Sequence, residues 1–154
     1  MKWVFLVTET EQPKTPIFVK LVTEIRDNDG RKDLLTTETE GALYSKDGAT
    51  YLAYKEMMED VGQISNVIKI KNEEVTIIRT GAVSMRQTYK KGEITSGSYH
   101  TPYGRFEMVA KTEHVDFTNK PQSRKAQLLL TYQLKMQGEW IGRHRLTFMI
   151  EKVQ

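Results

Sequence analysis

From Pro16 onward, apolar and polar residues alternate one by one. Ile17, Val19, Leu21 and Ile25 are interleaved with Lys20, Glu24 and Arg26, the pattern of a β-strand with one face in water. Asp27-Asn28-Asp29-Gly30 then supplies residues that accept positive φ and predicts a hairpin turn. A Thr-rich strand is expected over residues 32–45, with Gly41 at a bulge or bend, and a further strand over 49–56 after Lys46-Asp47-Gly48. Met57-Met58-Glu59-Asp60-Val61-Gly62 breaks the alternation and predicts one helical turn.

Strands resume over 66–71, 74–80, 83–89 and 94–100; Val83, Met85, Gln87 and Tyr89 share a face of the third. Thr101-Pro102-Tyr103-Gly104 is a turn, because proline presets φ and glycine accepts a positive one. Phe106, Met108 and Ala110 continue on one face as far as Val115, and residues 116–124, with Pro121, are expected as the longest loop. A last hairpin over 125–137 and 140–153 turns at Gly138-Glu139. It sets Leu128, Leu130, Tyr132, Leu134 and Met136 beside Leu146, Phe148 and Ile150.

About eight to ten strands joined by short turns make an all-β, antiparallel up-and-down meander. Closing it into a barrel removes its exposed edges; a two-sheet sandwich is the alternative, but Greek-key crossings need longer connections than most of these turns. The expected interior is either filled by Val83, Met85, Phe106, Met108, Leu128, Leu130 and Phe148 or able to hold one small ligand. Residues 16–154 are read as one barrel domain. Residues 1–15 are read as an N-terminal strand or loosely attached segment, set off by Pro13 and Pro16.

Composition narrows the function. The 154-residue chain has no cysteine, which excludes disulfide staples, thiolate metal sites and cysteine nucleophiles. No apolar run is long enough for a membrane-spanning helix. The apolar stretch Trp3-Val4-Phe5-Leu6-Val7 ends in Thr8-Glu9-Thr10-Glu11 instead of a cleavage site, so a cytoplasmic location is expected. Net charge is only +3, but residues 1–62 hold 8 basic and 12 acidic side chains, whereas residues 63–154 hold 15 and 8. That asymmetry keeps open a surface adaptor that binds RNA or protein through the basic C-terminal half, although its cations alternate with acids.

The strings Tyr51-Leu52-Ala53-Tyr54-Lys55-Glu56, Ile68-Lys69-Ile70, Arg79-Thr80-Gly81-Ala82-Val83-Ser84-Met85 and Tyr99-His100-Thr101-Pro102-Tyr103-Gly104-Arg105-Phe106-Glu107 carry a resemblance. In this order and spacing, over roughly residues 16–151, the chain resembles the YwiB-like family of small bacterial proteins, a domain of unknown function. The resemblance implies a calycin-type (lipocalin-like) β-barrel and a bacterial source. It brings no catalytic residue, and a ligand cup follows from it only by fold analogy.

Candidate chemistry centres on Arg79, which ends the otherwise apolar run Val75-Thr76-Ile77-Ile78. A guanidinium at a barrel mouth clamps a carboxylate or phosphate through two parallel N–H bonds; the structural alternative is an ion pair with Glu56 or Glu107. Tyr54, Tyr99 and Tyr103 offer apolar rings with polar tips. The six residues Arg79, Tyr54, Tyr99, Tyr103, Glu56 and Glu107 form the expected site for a small amphipathic or anionic ligand. His100, His114 and His144 have no metal-ligand spacing, and no nucleophile or phosphate-loop motif occurs, so no catalytic residue, metal or cofactor is expected.

Overall fold

A computed structural model of the chain describes residues 13–153; of the N-terminal segment expected over residues 1–15, residues 1–12 lie outside them. Ten strands run in chain order: β1 Thr15–Arg26, β2 Lys32–Lys46, β3 Ala49–Met58, β4 Gly62–Lys71, β5 Glu74–Gly81, β6 Ser84–Lys90, β7 Ile94–Thr101, β8 Gly104–Asn119, β9 Lys125–Met136 and β10 Glu139–Lys152. Each pairs antiparallel with its sequence neighbours, and β1 closes on β10 from Ile17↔Lys152 to Arg26↔Arg143. The result is a closed up-and-down barrel, as the alternation predicts. Among the described residues no helix is present, and so none is long and apolar enough to cross a membrane.

The turns follow their residues. Asp27 Oδ1 accepts hydrogen bonds from the backbone N–H groups of Asp29 and Arg31, closing the loop that ends at Gly30. Asp47-Gly48 and Gln137-Gly138 adopt consecutive positive φ values, 53° and 79°, then 50° and 86°. These are the conformations whose twist matches a two-residue hairpin.

Three expectations need correction. The helical turn expected at residues 57–62 is a plain hairpin: β3 runs through Met58, Asp60 takes φ 65°, and β4 begins at Gly62. Alternation persists there, with Glu56 facing in and Met57 facing out. The long loop expected over 116–124 is also shorter, because β8 continues to Asn119 against β9. Val115 and Phe117 keep facing the core between outward Asp116 and Thr118, and only Pro121 and its neighbours lack strand partners. Gly41 causes no register shift in either pairing and is no bulge. It sits where β2 passes so close to β3 that a Cβ would overlap the Ala53 carbonyl.

Inward residues from all sides form one core. Ile17, Leu52, Ile64, Ile68, Val75, Tyr89, Leu128, Leu130 and Phe148 are fully buried. Each large apolar side chain so placed stabilises the fold by about 1.5–3 kcal/mol. Of the seven interior residues expected, Val83, Met108, Leu128, Leu130 and Phe148 are buried and Met85 and Phe106 half-buried. This filling occupies most of the lumen. A groove of about 810 Å³ lies on the outer wall over β1, β2, β8, β9 and β10.

Candidate functional site

Cross-strand register lines up one inward residue per strand across much of the wall. Ile17 stands opposite Gly41, Gly41 opposite Tyr54, Tyr54 opposite Asn66, Asn66 opposite Arg79, Arg79 opposite Met85, Met85 opposite Tyr99, and Tyr99 opposite Phe106. Because opposite residues in a sheet share a face, this row brings an arginine, an asparagine and two tyrosines together inside an apolar barrel. It lies toward the end closed by the β3–β4, β5–β6 and β7–β8 turns.

Arg79 is the hub. Its Nε donates to Asn66 Oδ1 at 3.1 Å, its Nη2 to Glu56 Oε1 at 2.9 Å, and its Nη1 to the Tyr99 hydroxyl at 3.3 Å. Asn66 Nδ2 donates to the same Glu56 oxygen at 2.8 Å, closing a triangle of charge-assisted bonds. Side-chain exposure is 17% for Arg79 and 25% for Glu56, so water reaches the pair from the barrel mouth. A guanidinium carries five N–H donors. Three are used among the described residues, which leaves one on each terminal nitrogen for a further acceptor.

Phenols surround this charge. Burial pushes the Tyr54 hydroxyl far above its ordinary pKa, the Glu56 carboxylate adds to the effect, and Arg79 opposes it. Burial likewise raises Tyr89, and it pushes Tyr132 up to about 12 against opposing effects from Tyr89 and Arg79. All three stay neutral at any physiological pH and act as hydroxyl dipoles, not anions.

Of the six expected site residues, the fold brings together Arg79, Glu56, Tyr54 and Tyr99. It does not bring Glu107, which follows Phe106 by one residue and so faces outward, 3.5 Å from Arg105. Nor does it bring Tyr103, which sits 77% exposed in the β7–β8 turn. Asn66 is the residue sequence reasoning missed. Its signal was present: it occupies an inward position in the run Ile64, Asn66, Ile68, Ile70, where a polar side chain needs a partner. Among the described residues no cluster of three His, Asp or Glu side chains comes together as a metal site would require.

His144 lies inside the barrel, stacked on Tyr132 with centroids 5.2 Å apart, and its Nδ1 has no hydrogen-bond partner among the described residues. Burial lowers its pKa from 6.5, and the Gly142 carbonyl opposes this only in part. The unfolded chain therefore takes up this proton at higher pH than the folded one. The stability contributed by the neutral ring is complete above about pH 6.5 and is lost as pH falls through the depressed folded value. Urea unfolding between about pH 5 and 8 should show stability rising with pH, and His144→Phe should flatten that slope.

Comparison with known proteins places this geometry in a context. A family model described as a domain of unknown function, DUF1934, matches residues 19–148. The chain is 28% identical over 138 residues to the uncharacterized beta-barrel protein YwiB of Bacillus subtilis (strain 168), covering 90% of this chain and 94% of that protein. The crystal structure of the ywiB protein from Bacillus subtilis superposes with a TM-score of 0.81 at 26% identity, covering 93% of this chain and 96% of that one.

Proposed function

Because this chain belongs to the DUF1934 family, whose description assigns no function, we propose a role from the chain's own geometry: non-enzymatic binding of a small amphipathic anion at the mouth of the barrel. One observation carries the reading. Arg79 lies inside an apolar barrel, within reach of water, oriented by Glu56, Asn66 and Tyr99, with an N–H on each terminal nitrogen unused among the described residues. A carboxylate or phosphate head would take those two donors, and an apolar tail would lie along half-buried Met85 and Phe106, the neighbours of Tyr99 in the register. Because the core fills the barrel below, the fitting ligand is short and sits at the mouth.

The basic-surface alternative finds less support. Arg79 faces inward, while Lys90, Lys91 and Arg105 sit within 4 Å of Glu74, Glu73 and Glu107.

Calorimetric titration with decanoate tests the proposal. Binding is expected for the natural chain and lost in Arg79→Met. It should tighten several-fold in Glu56→Gln, because the internal carboxylate that competes for the guanidinium is then neutral. No binding by the natural chain of either decanoate or decyl phosphate would defeat the reading, and so would decanoate binding unaffected by Arg79→Met.

A further inference from the structure

Among the described residues, the start of β2 has an unpaired edge. It pairs with β1 from Arg26↔Lys32 to Thr15↔Leu43, but with β3 only from Gly41↔Tyr54 to Lys46↔Ala49. β3 continues to Met58 against β4 alone. Thr39 Oγ1 still reaches the Lys55 carbonyl at 3.3 Å. Before it, over residues 32–38, no strand among the described residues pairs with the side of β2 that faces away from β1. This stretch has no proline and no bulge, and it holds Leu34 and Leu35 at 60% and 58% exposure. An unpaired edge of this kind is a template for another strand.

We propose that the edge pairs with the same edge of a second copy of this chain, antiparallel, about a two-fold axis at Leu35. Such an interface is self-complementary: each contact made by one copy is returned by the other. With the axis at Leu35, Lys32 faces Glu38, Leu34 faces Thr36, Asp33 faces Thr37 and the two Leu35 side chains meet. Lys32, Leu34, Thr36 and Glu38 lie on the outer face, where Glu38 borders the groove with Phe18 and Lys20. Asp33, Leu35 and Thr37 lie on the inner face, where Thr37 stands opposite Leu21. Neighbouring registers are worse. An axis at Thr36 sets Leu34 against Glu38 and carries Lys32 to Glu40, beyond the unpaired stretch, and one at Leu34 sets Asp33 against Leu35 and removes both ion pairs. The charges that would repel a foreign acidic or basic strand are thus complementary to this one. Lys32 already lies 3.4 Å from Glu24, so the partner's Glu38 would complete a three-charge chain.

The test is sedimentation velocity from about 10 μM to 1 mM, the range of a weak, small interface. The natural chain should show a monomer–dimer equilibrium. Lys32→Glu alone sets acid against acid at both ends, and Glu38→Lys alone sets base against base. Each should raise the dissociation constant at least about tenfold. An equimolar mixture of the two variants restores both ion pairs and should dimerise as the natural chain does. Both positions are exposed at the surface, and unchanged melting profiles establish that each variant is folded. A chain monomeric throughout overturns the proposal and leaves the edge to an extended segment of another protein. A dimer insensitive to either variant, or a mixture that stays monomeric, overturns it as well. None of these outcomes bears on decanoate binding at the mouth.

Discussion

Phe148→Ala is expected to destabilise the barrel by about 3–5 kcal/mol and to lower its melting temperature by roughly 6–20 °C. Phe148 is 1% exposed and projects inward from β10 between Leu21 of β1 and Leu128 of β9. It therefore supports the pairing of the first strand with the last. The ring's removal loses its transfer free energy and leaves a cavity, which a closed sheet fills poorly because each strand is held on both sides. Phe18→Ala is the control. The same side chain stands on the outer face of β1 at 51% exposure, so its loss should cost under about 1 kcal/mol. Urea unfolding of both variants checks the contrast, and equal losses would mean that the barrel does not depend on its interior for closure.

Arg79→Met is the second large effect, expected at about 2–4 kcal/mol. It strands the Glu56 carboxylate and leaves Asn66, 3% exposed, with one of its two partners. Removing one member of a buried pair costs about 3–5 kcal/mol, and partial exposure of this pair moderates that figure. Arg79→Met combined with Glu56→Leu should recover much of the loss, because exchanging a whole ion pair for apolar groups of similar volume is often near neutral. The double variant also separates stability from binding. It should fold nearly as well as the natural chain and still fail to bind decanoate, which a purely structural role for Arg79 would not predict. Chemical denaturation together with calorimetry on these three proteins reads both quantities.

The legible parts of the molecule were those governed by neighbours in the chain. Ile17 and Val19 alternate with Phe18 and Lys20, so strand and facing could be read together. Asp47-Gly48 announced its turn because few other residues accept two successive positive φ values. The helical turn expected at Met57-Met58 failed for an instructive reason: two adjacent methionines look like a break in alternation, yet one faces in and the other is 74% exposed, which a strand allows. The site was legible by halves. An arginine in an apolar run demanded a partner, but Glu56 and Glu107 could not be separated without their facings. Glu107 was lost to a one-residue offset, while Asn66 went unnoticed inside an apolar row.

What the sequence by itself determined is the periodicity: strands, turns, the inward set of residues and an antiparallel order, all consequences of steric and burial preferences acting over a few residues. What only the tertiary structure decided is which distant positions meet. Cross-strand register and the closure of β1 on β10 set Glu56, Asn66 and Tyr99 around Arg79 and left one side of the start of β2 without a strand partner among the described residues. The reason is physical. A period of two says which face a side chain takes, but its height along the barrel depends on the stagger summed over every intervening strand, a quantity no local pattern contains.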